Sequence, residues 1–91
     1  MTLPTTPGVV TKVDGEVIEI TFSDKLPDTS SGSVMILKGS DTAPTATIPC
    51  RVEERLEDTL RVVHVACPGF SSPEVLKTGE SVHVVTCITI L

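Results

Sequence analysis

Apolar and polar residues alternate along short runs of this chain, and turn residues separate the runs at intervals of roughly ten residues. The clearest run covers residues 16–22, where Ile18, Ile20 and Phe22 fall on one face of a predicted strand. Asp14-Gly15 precedes this run and is typical of a two-residue hairpin turn. The period of two predicts strands that each bury one face.

The same pattern predicts six main strands, which cover residues 8–13, 16–22, 33–38, 46–53, 59–67 and 81–91. Pro49 has no backbone N–H to donate, so strand 46–53 is predicted at the edge of a sheet. Ser72-Pro73-Glu74 is typical of a helix start and Gly79 of a helix stop, which predicts one helical turn that crosses between two sheets. We also expect Leu26 to reach back from its turn into the core.

These elements predict an all-β fold, an immunoglobulin-like antiparallel β-sandwich of six to seven strands. The predicted domain covers residues 8–91, and residues 1–7 are interpreted as a flexible lead-in or linker. The predicted core consists of the inward-facing residues Ile18, Ile20, Phe22, Val34, Ile36, Ile48, Val62, Val82 and Val84. A small closed barrel would bury the same faces, and the pattern alone leaves that alternative open.

The composition argues against several classes of partner. The net charge is −5, and the Lys and Arg residues are scattered singly, whereas nucleic acids and anionic membranes call for basic clusters. Phe22 and Phe70 are the only aromatic residues, so stacking platforms for bases are missing. No apolar run is long enough to span a membrane, and we expect no membrane insertion.

Two segments resemble bacterial Ig-like domains of the S-layer and adhesin type. Residues 17–26, VIEITFSDKL, resemble the opening pattern I-x-I-x-F-S-x-x-L of that family, and residues 76–84, LKTGESVHV, resemble its closing pattern L-x-x-G-x-x-Y-x-V. The chain departs from the family at Val82, where a tyrosine usually pins a corner through its hydroxyl. The resemblance implies a spacer, an adhesive module or a carbohydrate-associated accessory domain.

Candidate metal ligands are present, but their spacing is unfavourable. By residue type alone, the chain has a Cys₂His₂ set of zinc ligands: His64, Cys67, His83 and Cys87. Residues three apart on a strand point to opposite faces, and residues four apart lie about 13 Å from each other. The acidic residues Glu53, Glu54, Glu57 and Asp58 cluster at one predicted turn without the spacing of a calcium loop. We therefore expect no metal site and no cofactor.

The cysteines leave their pairing open. Cys50, Cys67 and Cys87 are an odd number, and simple hairpin pairing sets Cys50 opposite Val63 or His64 rather than opposite Cys67. A Cys67–Cys87 disulfide, joining two later strands, is one possibility. In a reducing compartment all three cysteines would be small buried hydrophobic residues. Cys67 is also the most accessible thiol by position, but no sequence feature builds an oxyanion hole beside it, and we expect no enzymatic activity.

The expected function is that of a non-catalytic structural, spacer or adhesive module of a larger surface or extracellular protein. Its partner would be a protein or a neighbouring domain, or a carbohydrate, contacted through the polar segments 23–32 and 39–44. One alternative is a free-standing subunit of a protein assembly, which would self-associate by strand-edge pairing through the apolar residues 84–91. A second alternative is a small copper- or zinc-binding carrier.

Overall fold

The computed structural model of this chain describes residues 5–86, which form six β-strands and one short 3-10 turn. The strands are β1 (Thr5–Asp14), β2 (Val17–Thr21), β3 (Ser33–Gly39), β4 (Pro44–Arg55), β5 (Thr59–His64) and β6 (Ser81–Thr86). The 3-10 turn covers Pro73–Val75. Strand β1 begins at Thr5, so residues 5–7 are part of a strand.

The strands close into one antiparallel barrel in the order β1-β2-β5-β4-β3-β6, with β6 paired to β1. The prediction of an immunoglobulin-like sandwich is therefore wrong, because two packed sheets would have edge strands whereas each strand of this barrel has two neighbours. Strands β3, β4 and β5 follow one another as hairpins, and β6 returns beside β3 as in a Greek key.

The two long strands β1 and β4 close the barrel, because each pairs with one neighbour along its first part and with another along its second part. Strand β1 pairs with β6 through residues 5–9 and with β2 through residues 9–14. Strand β4 pairs with β3 through residues 44–51 and with β5 through residues 50–55. Each of them has a register shift, in β1 after Val10 and in β4 after Val52. Such bulges bend a strand from one sheet into the next, so β1 and β4 form the two corners that join the layers.

The core lies inside this barrel. All nine residues predicted for the core are buried, which confirms the inward face of the five predicted strands that contain them; Val10 of β1 is also in the core and was not predicted. At Gly8 the backbone of β1 itself lies against the core. A Cβ atom at this position would lie 2.7 Å from Cγ2 of Ile20 and 2.8 Å from Cε2 of Phe22. Only glycine fits this contact without displacing its neighbours.

Two connecting segments cover the ends of the barrel. Residues 22–32 run from β2 to β3 and residues 65–80 from β5 to β6, and each pair of strands lies on opposite sides of the barrel. Leu26 packs against the core from the first segment, as predicted, and Leu76 is buried from the second. The predicted helical turn exists as the 3-10 turn, but it crosses a barrel end rather than passing between sheets.

Pro49 does not mark an edge strand, and that prediction is wrong. Strand β4 has β3 on one side and β5 on the other. The carbonyl of Pro49 accepts a hydrogen bond from the N–H of Val65, one residue beyond the end of β5. Because the N and the C=O of a strand residue point to the same side, the missing donor of Pro49 faces Val65, beyond the end of β5, and the hydrogen bonds between β3 and β4 do not need it.

Candidate interaction site

Four large hydrophobic side chains are exposed within residues 5–86: Val9, Leu56, Val65 and Phe70, at 40%, 37%, 42% and 47% of their full exposure. Val65 and Phe70 belong to one connecting segment, residues 65–71, which we call the Phe70 loop. A large apolar side chain that stays in solvent on a small domain is a candidate contact residue when its surroundings are also apolar.

Both stems of the Phe70 loop are fixed to β4. The N–H of Val65 donates to the carbonyl of Pro49 at 3.0 Å, and the N–H of Ser71 donates to the carbonyl of Thr47 at 2.9 Å. The loop therefore leaves the side of the barrel and returns to it two residues away along β4. Such anchoring reduces the entropy that a partner would have to remove on binding.

The tip of the loop is a tight turn. The N–H of Phe70 donates to the carbonyl of Cys67 at 3.2 Å. Pro68 and Gly69 occupy the two central positions, and Gly69 has a φ of 87°. Proline followed by a glycine of positive φ is the signature of a type II turn, in which the proline fixes the first φ and glycine avoids a Cβ clash at the second. The backbone on both sides of Phe70 is thus held.

The Phe70 loop carries no charge. Residues 65–73 contain no Asp, Glu, Lys or Arg, although these make up 21% of the chain. Ala66 and Pro68 are exposed beside Phe70. The centre of a protein interface is typically poor in charged residues and rich in aromatic ones. The loop has this chemistry, and it projects from a fixed position.

A second apolar surface lies on the opposite side of the barrel, because β1 and β4 are three strands apart in either direction around it. This surface is a groove of about 340 Å³, and we call it the Val9 groove. Its main lining residues are Pro7, Val9, Thr11, Thr21, Ser81 and His83. His83 is the sole ionisable residue in this lining, and its Nδ1 is buried without a hydrogen-bond partner among residues 5–86.

Threonine hydroxyls along the Val9 groove bond to one another. The Thr11 and Thr21 hydroxyl oxygens lie 3.3 Å apart, and those of Thr21 and Thr59 lie 3.0 Å apart. The hydroxyl of Thr59 donates to Asp58 at 2.9 Å. These cross-strand pairs give the hydroxyls of Thr11 and Thr21 hydrogen-bond partners within the barrel wall.

Two other grooves contain charged residues. One is lined by Glu16 and Glu74 near the 3-10 turn. The other contains Lys25, Asp28 and Arg55 beside segment 22–32. Hydrogen bonds from Ser30 and the nearby Arg55 guanidinium hold the pKa of the Asp28 carboxyl below its ordinary value. An uncharged ligand surface matches the Val9 groove better than either of these.

Three residues of the candidate zinc set lie within the described part of the chain, and the structure does not bring them together as one site. His64 lies on β5 and His83 on β6, on opposite sides of the barrel. The His64 side chain is 8% exposed, and its Nδ1 lies 2.6 Å from Oε2 of Glu16. Cys67 lies in the Phe70 loop, and Cys87 falls outside the described residues. Nowhere in residues 5–86 do three or more His, Cys, Asp or Glu side chains gather as a metal site.

Cys50 pairs with His64 across β4 and β5, as the hairpin pattern predicts. Its side chain is in the core, and its Sγ lies 3.7 Å from the carbonyl oxygen of Ile48. Cys67 is half-buried and forms no disulfide within the described part of the chain. The Cys67–Cys87 pairing stays a prediction, because it depends on a residue outside that part.

The acidic turn and the polar segment 22–32 form hydrogen bonds and a salt bridge with other parts of the same chain. Glu54 forms a salt bridge with Arg61. In segment 22–32, the carbonyl of Pro27 accepts from Arg55, and the carbonyl of Asp28 accepts from the Thr86 hydroxyl. These bonds tie the segment across the barrel end. The sequence analysis predicted partner contacts through this polar segment and did not predict the Phe70 loop. The available signal was an aromatic residue directly after the turn residues Pro68-Gly69 in a stretch without charges.

The proposed strand edge is occupied where the structure describes it. Residues 84–86 belong to β6, which pairs with β1 on one side and β3 on the other. Residues 87–91 lie outside the described range. In the part that is described, β6 therefore has no unpaired side for a strand of another chain.

Comparison of this chain with known protein families and with curated proteins found no match. Within residues 5–86, no helix is long and apolar enough to cross a membrane.

Proposed function

We propose that this chain is a non-catalytic structural or adhesive module that binds a protein partner through the Phe70 loop. The observation that carries the proposal is a loop without charges that exposes Phe70 and Val65 and is anchored to β4 at both stems. The contact surface is a rigid loop on the side of the barrel. It is not a free strand edge.

The energetics favour Phe70 as the central contact. Full transfer of a phenylalanine side chain from water to an apolar pocket is worth about 1.5–3 kcal/mol, and Phe70, which is 47% exposed, can gain about half of that. Few residues of an interface contribute as much, and such residues are commonly aromatic. The Pro68-Gly69 turn and the two stem hydrogen bonds order the loop before a partner arrives, so little of this free energy is lost to ordering.

His64 has a structural role in the barrel. Its side chain is 8% exposed, and its residue lies opposite Cys50 in the register of β4 and β5. The His64–Glu16 pair lies at the end of the β1–β2 hairpin, where it joins β5 to that hairpin.

Site-specific photocross-linking tests the proposal. A photoreactive phenylalanine analogue replaces Phe70 in the full chain, in the cells that normally produce it, and the illuminated sample is separated by mass. We expect one discrete adduct at position 70, because a docked aromatic side chain has one neighbour.

Leu56 provides the matched control, since it is also a large exposed apolar residue but lies in the β4–β5 turn among charged neighbours. The same analogue at position 56 should give no discrete adduct. Equal adduct patterns at positions 56 and 70, or no adduct at position 70, would contradict a role for the Phe70 loop in binding.

A further inference from the structure

The two uncharged apolar surfaces of this chain lie on opposite sides of the barrel. The Phe70 loop projects beside β4, and the Val9 groove lies over β1 and β6. Of the four large hydrophobic side chains exposed within residues 5–86, Val65 and Phe70 belong to the loop and Val9 to the groove. One surface protrudes and the other is concave.

We propose that the partner of the Phe70 loop is a second copy of this chain, which receives Phe70 in its Val9 groove. The inference rests on the proposed function and names the partner. Its first argument is charge. A carboxylate or ammonium group that loses water on binding destabilises a complex unless it is paired. Neither the loop nor the groove contains Asp, Glu, Lys or Arg. The grooves lined by Glu16 and Glu74 and by Lys25, Asp28 and Arg55 contain such residues, and an uncharged loop would remove water from them without supplying an opposite charge.

The second argument is size and shape. The groove of about 340 Å³ lies in the range of small ligand pockets and can hold a phenyl ring. Val9 is 40% exposed in it, and the hydroxyls of Thr11 and Thr21, which also line it, are paired with each other. The fixed Pro68-Gly69 turn presents Phe70 as a protrusion.

The geometry makes the contact heterologous. Each copy contributes its loop to one neighbour and its groove to another, so association does not stop at two copies but continues to a ring or a filament. An isolated aromatic contact buries about 150–250 Å², well below a standard interface of about 1,600 Å². Each contact is therefore weak, and assembly depends on concentration.

Ionic strength distinguishes this contact from one made by ion pairs. Each chain has a net charge of −5, so copies repel one another at low salt. Salt screens this repulsion and leaves the apolar contact intact. Self-association of the chain should therefore increase with salt. A decrease with salt would overturn the proposal, because it would show that charged groups form the contact.

Light scattering of mixed variants is the decisive test. The full chain, of 9.6 kDa, should exceed the mass of two copies at high concentration. Phe70→Ser removes the loop contact and keeps the groove, and Val9→Arg fills the groove and keeps the loop. Each variant alone should have the mass of one chain. Their equimolar mixture should reach the mass of two chains and no more, because one intact loop meets one intact groove.

Control variants keep the test interpretable. Leu56→Ser removes an equally exposed apolar side chain elsewhere and should associate like the unmodified chain. Ser81→Arg fills the same groove from β6, and its mixture with Phe70→Ser should also reach the mass of two chains. Agreement between the two groove variants shows that the result is not due to a folding defect in one of them. Circular dichroism of each variant establishes that the barrel is retained.

Several results would overturn the inference. The first is that the unmodified chain stays monomeric up to its solubility limit. The second is that Phe70→Ser, or both Val9→Arg and Ser81→Arg, associate as strongly as the unmodified chain. The third is that the equimolar mixture of a loop variant and a groove variant does not reach the mass of two chains. In any of these cases, a cross-link from position 70 to a protein of different mass would keep the proposed function and exclude a second copy as the partner. Loss of that cross-link as well would remove both.

Discussion

Gly8 shows how a single residue shapes this barrel. Strand β1 pairs with β6 and with β2 along its length, and at Gly8 it lies against Ile20 and Phe22 in the core. A Cβ atom at position 8 would be closer than 3 Å to both side chains. The absence of a side chain thus lets β1 lie closely on the core just before its register shift at Val10.

Gly8→Ala should lower the free energy of unfolding by about 1–3 kcal/mol, because an extra methyl group in a packed core displaces its neighbours. Urea denaturation followed by circular dichroism measures the change. Val9→Ala, on the next residue, should cost less than about 1 kcal/mol, since Val9 is 40% exposed. Equal losses for the two variants would contradict the close contact at Gly8.

At the scale of elements, the conformation of the Phe70 loop depends both on its own residues and on hydrogen bonds to a distant strand. Its Pro68-Gly69 turn can be recognised in the sequence from the residue types alone. Its anchoring cannot, because the acceptors Thr47 and Pro49 lie on another strand. The prediction of strand 59–67 ran past the true end of β5 at His64 for the same reason. The apolar residues beyond His64 look like strand in sequence but belong to the loop.

Gly69→Ala should loosen the loop without affecting the core. Gly69 has a φ of 87°, and no atom lies within 4 Å of the position of an added Cβ, so the cost comes from the backbone alone and is about 1 kcal/mol. We expect hydrogen exchange of the Phe70 amide to become about fivefold faster, which corresponds to that free energy. Pro68→Ala is the control, because alanine can adopt the same φ without strain. Unchanged exchange in Gly69→Ala would show that the turn does not hold Phe70.

At the scale of the molecule, barrel closure decides which surfaces remain for a partner. The inward residues of β2 to β6 could be predicted from the sequence pattern, since the period of two is the same in a sandwich and a barrel; Val10 of β1 was not predicted. The closure could not, because it depends on the bulges after Val10 and Val52 and on the full lengths of β1 and β4. Once β6 pairs with both β1 and β3, the described strands have no free edge, and side chains on loops and in grooves are the remaining contacts.

Residue-resolved amide hydrogen exchange on the dilute chain tests this account most directly. A closed barrel with an anchored loop predicts slow exchange for the inter-strand amides on both sides of β1, β4 and β6, and for the N–H groups of Val65 and Ser71. Fast exchange of alternate amides along one side of β1 or β6 would reveal an open edge. Fast exchange of Val65 and Ser71 would show an unanchored loop, and either result would contradict the rigid contact surface on which the proposed function depends.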